Sequence, residues 1–399
     1  MRVLIADKFP DSALGDLRRL GFAVDYKPAL KRDTVPVAMP GVHVLVVRST
    51  EVTRETIERG DALSLIVRAG AGTNTVDKKA ASERGIYVSN CPGKNAVAVA
   101  ELAMALILAL DRRIPDNVAE LRAGRWNKKE FSRASGLYGR TLGIAGLGRI
   151  GQEVLQRARA FGLLCEGWSR SLGRARAASL DIGYNATIEE LAGKVDILTV
   201  HLALSPETRG IVGRPVFEAM HEGSLFINTS RGELVDEQAL RDAMAGKGIR
   251  AGLDVFLGEP DGGEGEFWSE TAVLPSVYGT HHIGASTDQA QAAIADETVR
   301  IIRSFRDTGE VPNCVNLAAR SPARCQLVVR HYDKVGVLAG VLDALREARI
   351  NVEEIENEIF EGAMAACARI RLDERPPESV LALLRERRED ILHLELMDL

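Results

Sequence analysis

The chain has 399 residues, too many for a single hydrophobic core, so two or three domains are expected. Its 51 basic and 56 acidic residues leave a net charge of −5, which argues against nucleic acid or an anionic membrane surface as a partner. The five cysteines (Cys91, Cys165, Cys314, Cys325 and Cys367) form no CxxC pair and no metal-ligand spacing, which fits buried thiols in a reducing cytoplasm.

Residues 2–6 follow Met1 directly and read as a strand, so no signal peptide is expected. With 22–26, 42–47, 65–68 and 86–89 they make a series of short buried strands. Helical or turn-rich connections separate them, which predicts an α/β unit with a parallel sheet. Two of these strands run into arginines, Arg48-Ser49-Thr50 and Arg68-Ala69-Gly70-Ala71-Gly72. Ligands of an open parallel sheet sit beyond the carboxyl ends of its strands. Each arginine is therefore placed either to grip an anion or to stand as a solvated surface charge. The apolar run 96–110 is too short to span a bilayer and carries Glu101 inside it, so it reads as a buried helix. Residues 112–140 are polar, with Trp126-Asn127-Lys128-Lys129 as a basic tip.

A strand at 141–145 then runs into Gly146-x-Gly148-x-x-Gly151 and a helix whose Val154, Leu155, Ala158 and Phe161 share one face. In a dinucleotide-binding turn, the first glycine permits the tight turn and the second lets the backbone meet a pyrophosphate. The third lets helix pack closely on strand. The helix start offers free N–H groups and a positive dipole end to the phosphates. The next strand, 163–168, ends at Trp168-Ser169-Arg170-Ser171, where a ribose-binding carboxylate is usual. NAD with a weaker ribose contact and NADP, whose 2′-phosphate suits serine and arginine, both stay open.

Strands at 196–201, 224–228 and 250–255, with a helix near 236–245, complete a second doubly wound sheet. Polar groups cluster at their carboxyl ends: His201, then Thr229-Ser230-Arg231, then Asp254 and Glu259-Pro260, with His281 and His282 following. A helix at 287–305 returns the chain to the first unit, making that domain discontinuous. The polar stretch 318–324, with Pro322, opens a change of pattern. Strands at 326–331, 351–360, 363–372 and 391–397 alternate with helices at 336–349 and from 378, the second introduced by Pro376-Pro377. The first of these helices has Val337, Leu338, Val341, Leu342 and Leu345 on its apolar side. The order β-α-β-β-α-β is ferredoxin-like.

An arginine, a carboxylate and a histidine past strand ends are the parts of a hydride-transfer site for 2-hydroxy acids. Oxidising an alcohol with nicotinamide needs a base for the hydroxyl proton, and imidazole titrates near neutrality. A carboxylate orients the imidazole and stabilises its charged form. Arginine grips the substrate carboxylate through paired charge-assisted hydrogen bonds. Sequence alone does not bring these three groups together.

An ordered set of motifs does carry a resemblance. They are Val47-Arg48-Ser49-Thr50, Arg68–Gly72 with Val76-Asp77, Asn90-Cys-Pro-Gly-Lys-Asn95 with Ala100-Glu101, and Gly146–Gly151. Val200-His201-Leu202 with Glu207-Thr208 follows, then Ile227–Gly232, Leu253-Asp254-Val255, Glu259-Pro260 and His282-Ile-Gly-Ala-Ser286. The chain resembles the D-isomer-specific 2-hydroxy-acid dehydrogenases over nearly its whole length. The stretch Arg330-His331-Tyr-Asp333-Lys-Val-Gly336-Val-Leu338 resembles an ACT domain, a small regulatory module.

The resemblance implies two Rossmann-like domains, with residues 1–95 and 283–318 holding substrate and 96–282 holding the dinucleotide, followed by an ACT-like domain at 325–399. It makes His282 the acid/base, Glu259 its partner and Arg231 the substrate-orienting arginine. It assigns Gly146, Gly148, Arg149, Ile150, Gly151, Ser169, Arg170, His201, Thr208, Thr229, Ser230, Arg231 and Asp254 to the cofactor. Arg48, Ser49, Arg68, Ala69, Gly70, Asn95, Lys128, Arg231 and His282 fall to the substrate, and no metal is implied. The expected reaction is oxidation of 3-phospho-D-glycerate by NAD, with NADP an option, in a cytoplasmic homodimer or homotetramer. Reduction of hydroxypyruvate or glyoxylate, and nicotinamide sensing without catalysis as in the family's corepressors, are the alternatives. Asp333 stands where serine-inhibited members tend to have asparagine. The ACT-like tail is accordingly expected either to bind an amino-acid effector or to serve assembly alone.

Overall fold

The computed structural model describes residues 1–260, 265–318 and 320–399. Residue 319, inside the expected polar linker 318–324, lies outside the described residues. The chain forms two compact units, Met1–Asn316 and Leu317–Leu399.

The first unit holds two parallel sheets. The N-terminal sheet has β1 (Arg2–Ile5), β2 (Ala23–Tyr26), β3 (Val44–Val47), β4 (Leu65–Arg68) and β5 (Tyr87–Asn90), in the order β2-β1-β3-β4-β5. The central strands β3 and β4 are buried on both faces, which is why they read as unbroken apolar runs. The expectation that 22–26 is buried is corrected: β2 is the edge strand, with Ala23 exposed and the rest half-buried.

The larger sheet has β6 (Thr141–Ala145), β7 (Leu164–Trp168), β8 (Gly183–Tyr184), β9 (Ile197–Val200), β10 (Leu225–Asn228), β11 (Arg250–Leu253) and β12 (Val277–Gly279). Its order is β12-β11-β10-β9-β6-β7-β8, so the chain reverses direction across the sheet between β6 and β9. A doubly wound sheet opens its ligand crevice at such a point. Strands β8 and β12 were not expected; at two and three residues they are too short to carry an alternating pattern. The helix after the glycine turn, Arg149–Ala160, buries Val154, Leu155 and Ala158. Phe161 departs from the expectation: it caps the helix end and is 44% exposed. The polar stretch 112–140 contains two unexpected helices, Ile114–Arg122 and Lys128–Phe131, neither with a buried residue.

Two long helices tie the sheets together. Ala96–Arg112 sends Ala100, Ala103, Met104, Ile107 and Leu110 into the core beneath the larger sheet. Asp288–Thr308 returns to the N-terminal sheet, where Ile294, Ile301 and Ile302 pack with Val3, Ile5, Leu17 and Val67. Thr287 caps it, its hydroxyl accepting the Ala290 N–H at 3.2 Å, and left-handed Gly309 ends it.

The second unit is one antiparallel sheet of β13 (Cys325–Tyr332), β14 (Val352–Ile359), β15 (Ala365–Leu372) and β16 (Ile391–Asp398), in the order β14-β15-β13-β16. Alternate residues of β13 and β15 face the helices Val337–Glu347 and Glu378–Glu386 in a common core. Leu342, expected on the apolar side, is 38% exposed because the core-facing stripe runs through Val337, Val341, Ala344 and Leu345.

Candidate active site

The glycine turn has the shape that a dinucleotide requires. Gly146 takes φ +102°, and a Cβ there would strike the His201 carbonyl. A Cβ on Gly151 would strike the Gly146 carbonyl, whereas Gly148 faces open space. Gly148 starts the helix Arg149–Ala160 with no side-chain cap, so the first N–H groups face outward. Arg149 turns away from this N-terminus and donates to the Pro92 carbonyl, next to Gly93. The 92–95 segment is thereby held against the turn.

His201, past β9, sits on the other wall. Burial pushes its imidazole down to about 3, so it is neutral; Nε2 shares a hydrogen with the Thr199 hydroxyl at 2.9 Å, and Nδ1 is buried without a partner. Thr208 folds onto its own loop, its hydroxyl donating to the Ala203 carbonyl at 2.7 Å. Ser169 is half-buried and Arg170 exposed past β7. The charge of Arg170 reaches Glu207, whose carboxyl is held below its ordinary range first by the Ser205 hydroxyl. Ile150 packs into the core under the sheet.

His282 and Glu259 are in direct contact, with Nδ1 and Oε2 2.7 Å apart. Burial alone would push the Glu259 carboxyl up. The His282 hydrogen bond, the Phe256 N–H at 2.8 Å and the charges of His282 and Arg231 outweigh it, so the group stays below the usual carboxylate range. His282 adopts φ +51°, a strained value for a residue with a Cβ. Asp254 supplies the constraint. Its carboxylate accepts the Thr280 hydroxyl at 2.6 Å and the N–H groups of Ile283 and Gly284 at 2.8 and 2.9 Å, while its carbonyl accepts the His282 N–H at 2.8 Å. Asp254 was expected at the cofactor, but its carboxylate is engaged in clamping the histidine loop. His281 is exposed.

Three guanidinium groups meet beside this pair. Arg231, past β10, reaches across to the 70–72 turn, where a Cβ on Gly72 would strike it, and its Nη1 donates to the Ser230 carbonyl at 2.6 Å. Its charge also reaches Arg68, as does that of Arg48. Burial, and then these two like charges, push Arg68 down to about 10, leaving it cationic at neutral pH; its Nε is buried without a partner. Burial also lowers Arg48. Arg68 wraps Gly70, where a Cβ would collide with the guanidinium, and Ala69 is buried with its N–H on the Val47 carbonyl. Asn95 leads into the helix Ala96–Arg112 and its Oδ1 is buried without a partner, as is the Thr229 hydroxyl. Ser230 is spent on structure, its hydroxyl donating to the Val200 carbonyl at 2.8 Å. A buried cation with an unmet donor is costly unless an anion answers it, so this cluster is suited to bind one.

Lys128 does not join the group. It starts an exposed four-residue helix whose neighbours come from the 117–132 segment. One residue at the arginine cluster escaped the sequence reading altogether. Asp7, two residues past β1, accepts the N–H groups of Arg48, Ser49 and Thr50 at 2.6, 3.0 and 3.1 Å on a single oxygen. The strand-end rule that singled out Arg48 applied equally to it.

A family profile described as the D-isomer specific 2-hydroxyacid dehydrogenase, NAD binding domain, matches residues 104–284. The D-3-phosphoglycerate dehydrogenase of Methanocaldococcus jannaschii is 38% identical over 309 residues, 76% of this chain and 58% of that protein, so the chain spans well under two thirds of that relative's length. The hydroxypyruvate reductase of Thermotoga maritima is 40% identical over 282 residues, 70% of this chain and 89% of the reductase. Among solved structures, the TT0316 protein from Thermus thermophilus superposes with a TM-score of 0.71 at 33% identity, covering 79% of this chain and all of that one. With the glycine turn, the His282–Glu259 pair and the arginine cluster carried on two parallel sheets, the chain belongs to the D-isomer-specific 2-hydroxyacid dehydrogenase family.

Proposed function

We propose that this protein oxidises 3-phospho-D-glycerate to 3-phosphohydroxypyruvate, the opening step of the phosphorylated route to L-serine, with NAD as hydride acceptor. The observation that carries this reading is the meeting of Arg48, Arg68 and Arg231 beside the His282–Glu259 pair. Three cations are more than one carboxylate calls for, and they suit a substrate with a carboxylate at one end and a phosphate at the other.

The division of labour follows the sheets. Residues 1–95 and 283–318 hold substrate, 96–282 hold the cofactor, and 325–399 serve regulation or assembly. The turn Gly146–Gly151 would hold the pyrophosphate of the cofactor, whose nicotinamide would supply the acceptor for a hydride from C2 of the substrate. His282, with Nδ1–H on Glu259, offers Nε2 to the C2 hydroxyl and takes its proton as the hydride leaves. The Glu259 carboxylate stabilises the imidazolium that results. Arg231 holds the substrate carboxylate, and Arg48 and Arg68 hold the phosphate. Asn95 and Thr229 keep unmet polar atoms for the bound molecules.

The exposed apolar residues Ile114, Val118 and Leu121 recur at helical spacing on the helix Ile114–Arg122, which buries none of its side chains, and exposed Trp126 follows just past its end. They fit a second copy of the chain in a homodimer. Five free cysteines suit the reducing cytoplasm.

A second reading, reduction of hydroxypyruvate or glyoxylate with NADPH, is favoured by Ser169-Arg170 at the end of β7 in place of a carboxylate. Initial rates on 3-phosphoglycerate and phosphohydroxypyruvate, compared with glycerate and hydroxypyruvate and run with NAD(H) and NADP(H), decide between the two. Faster turnover of the phosphorylated pair is expected. In the same assay His282→Ala should lower kcat by about 10²–10⁴-fold, the usual worth of a general base, while NADH still binds.

A further inference from the structure

Each parallel sheet has a point where the strand order reverses, and the two are treated differently. In the larger sheet the reversal lies between β6 and β9, where Gly146 keeps the space clear. In the N-terminal sheet it lies beside β1, whose neighbours are β2 and β3. There the chain fills the place with its own carboxylate. Asp7 Oδ2 accepts three successive N–H groups, from Arg48, Ser49 and Thr50, and Oδ1 accepts the Thr50 hydroxyl at 3.1 Å. Three consecutive amides aimed at one point form a nest of the kind that binds phosphate or carboxylate anions. With that nest satisfied internally, these amides are not available to substrate, and anion recognition is left to side chains.

We propose that Asp7 is the positioning residue of the anion site: by pinning the backbone of 48–50 it aims the Arg48 guanidinium at the substrate beside Arg68. The inference rests on the substrate reading above for the identity of the anion only. Asp7 touches no reacting atom. It acts through Arg48, whose N–H it holds at 2.6 Å and whose Cα–Cβ direction is thereby set. It also places a negative charge near both Arg48 and Arg68, so a role through charge must be separated from a role through position.

Three variants separate them. Asp7→Asn keeps the shape and an acceptor for the amides but removes the charge. Asp7→Glu keeps the charge and displaces it by a methylene, and Asp7→Ala removes both. Steady-state kinetics are measured on whichever 2-hydroxy acid the unmodified enzyme oxidises best, with cofactor affinity read from NADH fluorescence. We expect Asp7→Glu and Asp7→Ala to raise KM for the acid by about tenfold or more, as misplaced binding groups do. Their kcat and NADH affinity should stay within about twofold, and Asp7→Asn within about threefold of the unmodified KM. If Asp7→Asn raises KM while Asp7→Glu leaves it near the unmodified value, charge and not position is what matters, and the proposal falls. It falls equally if kcat drops at unchanged KM. Should Asp7→Ala fail to fold, the Asn and Glu variants decide alone. An unmodified enzyme that ignores phosphorylated acids overturns the substrate reading, while the ranking of the variants still decides the role of Asp7.

Discussion

Glu297 shows what a single carboxylate can do away from the reacting atoms. It lies on the returning helix with its side chain 8% exposed. It accepts from Arg300 at 2.6 and 3.0 Å and from Asn313 Nδ2 at 2.7 Å, with Lys94 Nζ 3.5 Å away. These partners, Arg300 first, hold its carboxyl down to about 2. A depressed carboxylate contributes stability that is complete above its unfolded value near 4.5 and is lost as pH falls toward 2. The contribution is of order 1–3 kcal/mol. Glu297→Gln should therefore lower the urea midpoint at pH 7, with the gap to the unmodified protein narrowing from pH 5 to pH 4. A gap that widens on acidification would show that another group sets the acid limit. Glu297 carries no motif, and its partners lie as far away in sequence as Lys94, so nothing local marked it. The same holds for Asp7. His282 and Glu259 were readable because they sit in longer patterns, whereas the task of Asp254 became clear only once the Thr280, Ile283 and Gly284 donors were seen around it.

Among the elements, the strand–turn–helix at 141–160 shows the tightest agreement between sequence and geometry. Its third glycine is its most sensitive point, because an added methyl at Gly151 meets backbone, the Gly146 carbonyl, and not a movable side chain. Gly151→Ala should push the helix off the sheet and weaken NADH binding by about tenfold or more, since a misplaced helix start forfeits its phosphate contacts. Fluorescence titration measures this; unchanged affinity would mean that the helix does not approach the cofactor through its N-terminus. Elsewhere the element reading failed for physical reasons. Periodicity runs past the end of a helix, so Phe161 was assigned to a face that the chain has already left. Two- and three-residue strands such as β8 and β12 have no period to detect. Edge and centre strands of a parallel sheet share a composition, so the exposure of β2 follows only from the strand order.

At the scale of the molecule, the doubly wound sheets and the β-α-β-β-α-β tail were readable from element order alone, since alternation of strand and helix leaves few topologies. What element order does not convey is how the N-terminal sheet is completed. Ile294, Ile301 and Ile302 supply one wall of its core, each worth about 1.5–3 kcal/mol when buried. Phe305 sets its ring against Tyr87 at 6.1 Å, and the Val88 N–H and Ser89 hydroxyl are taken by Asn316 Oδ1 at 2.7 Å and the Pro312 carbonyl at 2.6 Å. The N-terminal sheet thus waits for partners that lie more than two hundred positions later in the chain. Domains ordinarily mature from the N-terminus as they emerge from the ribosome. For this protein the expected order is the reverse, with the nucleotide-binding sheet closing while the N-terminal sheet is still incomplete. Chains truncated after residue 284 should show residues 104–284 resistant to a protease and residues 1–95 rapidly cleaved, with resistance of 1–95 restored when synthesis extends past Asn316. Equal resistance of both parts in the shorter chain would refute the inversion.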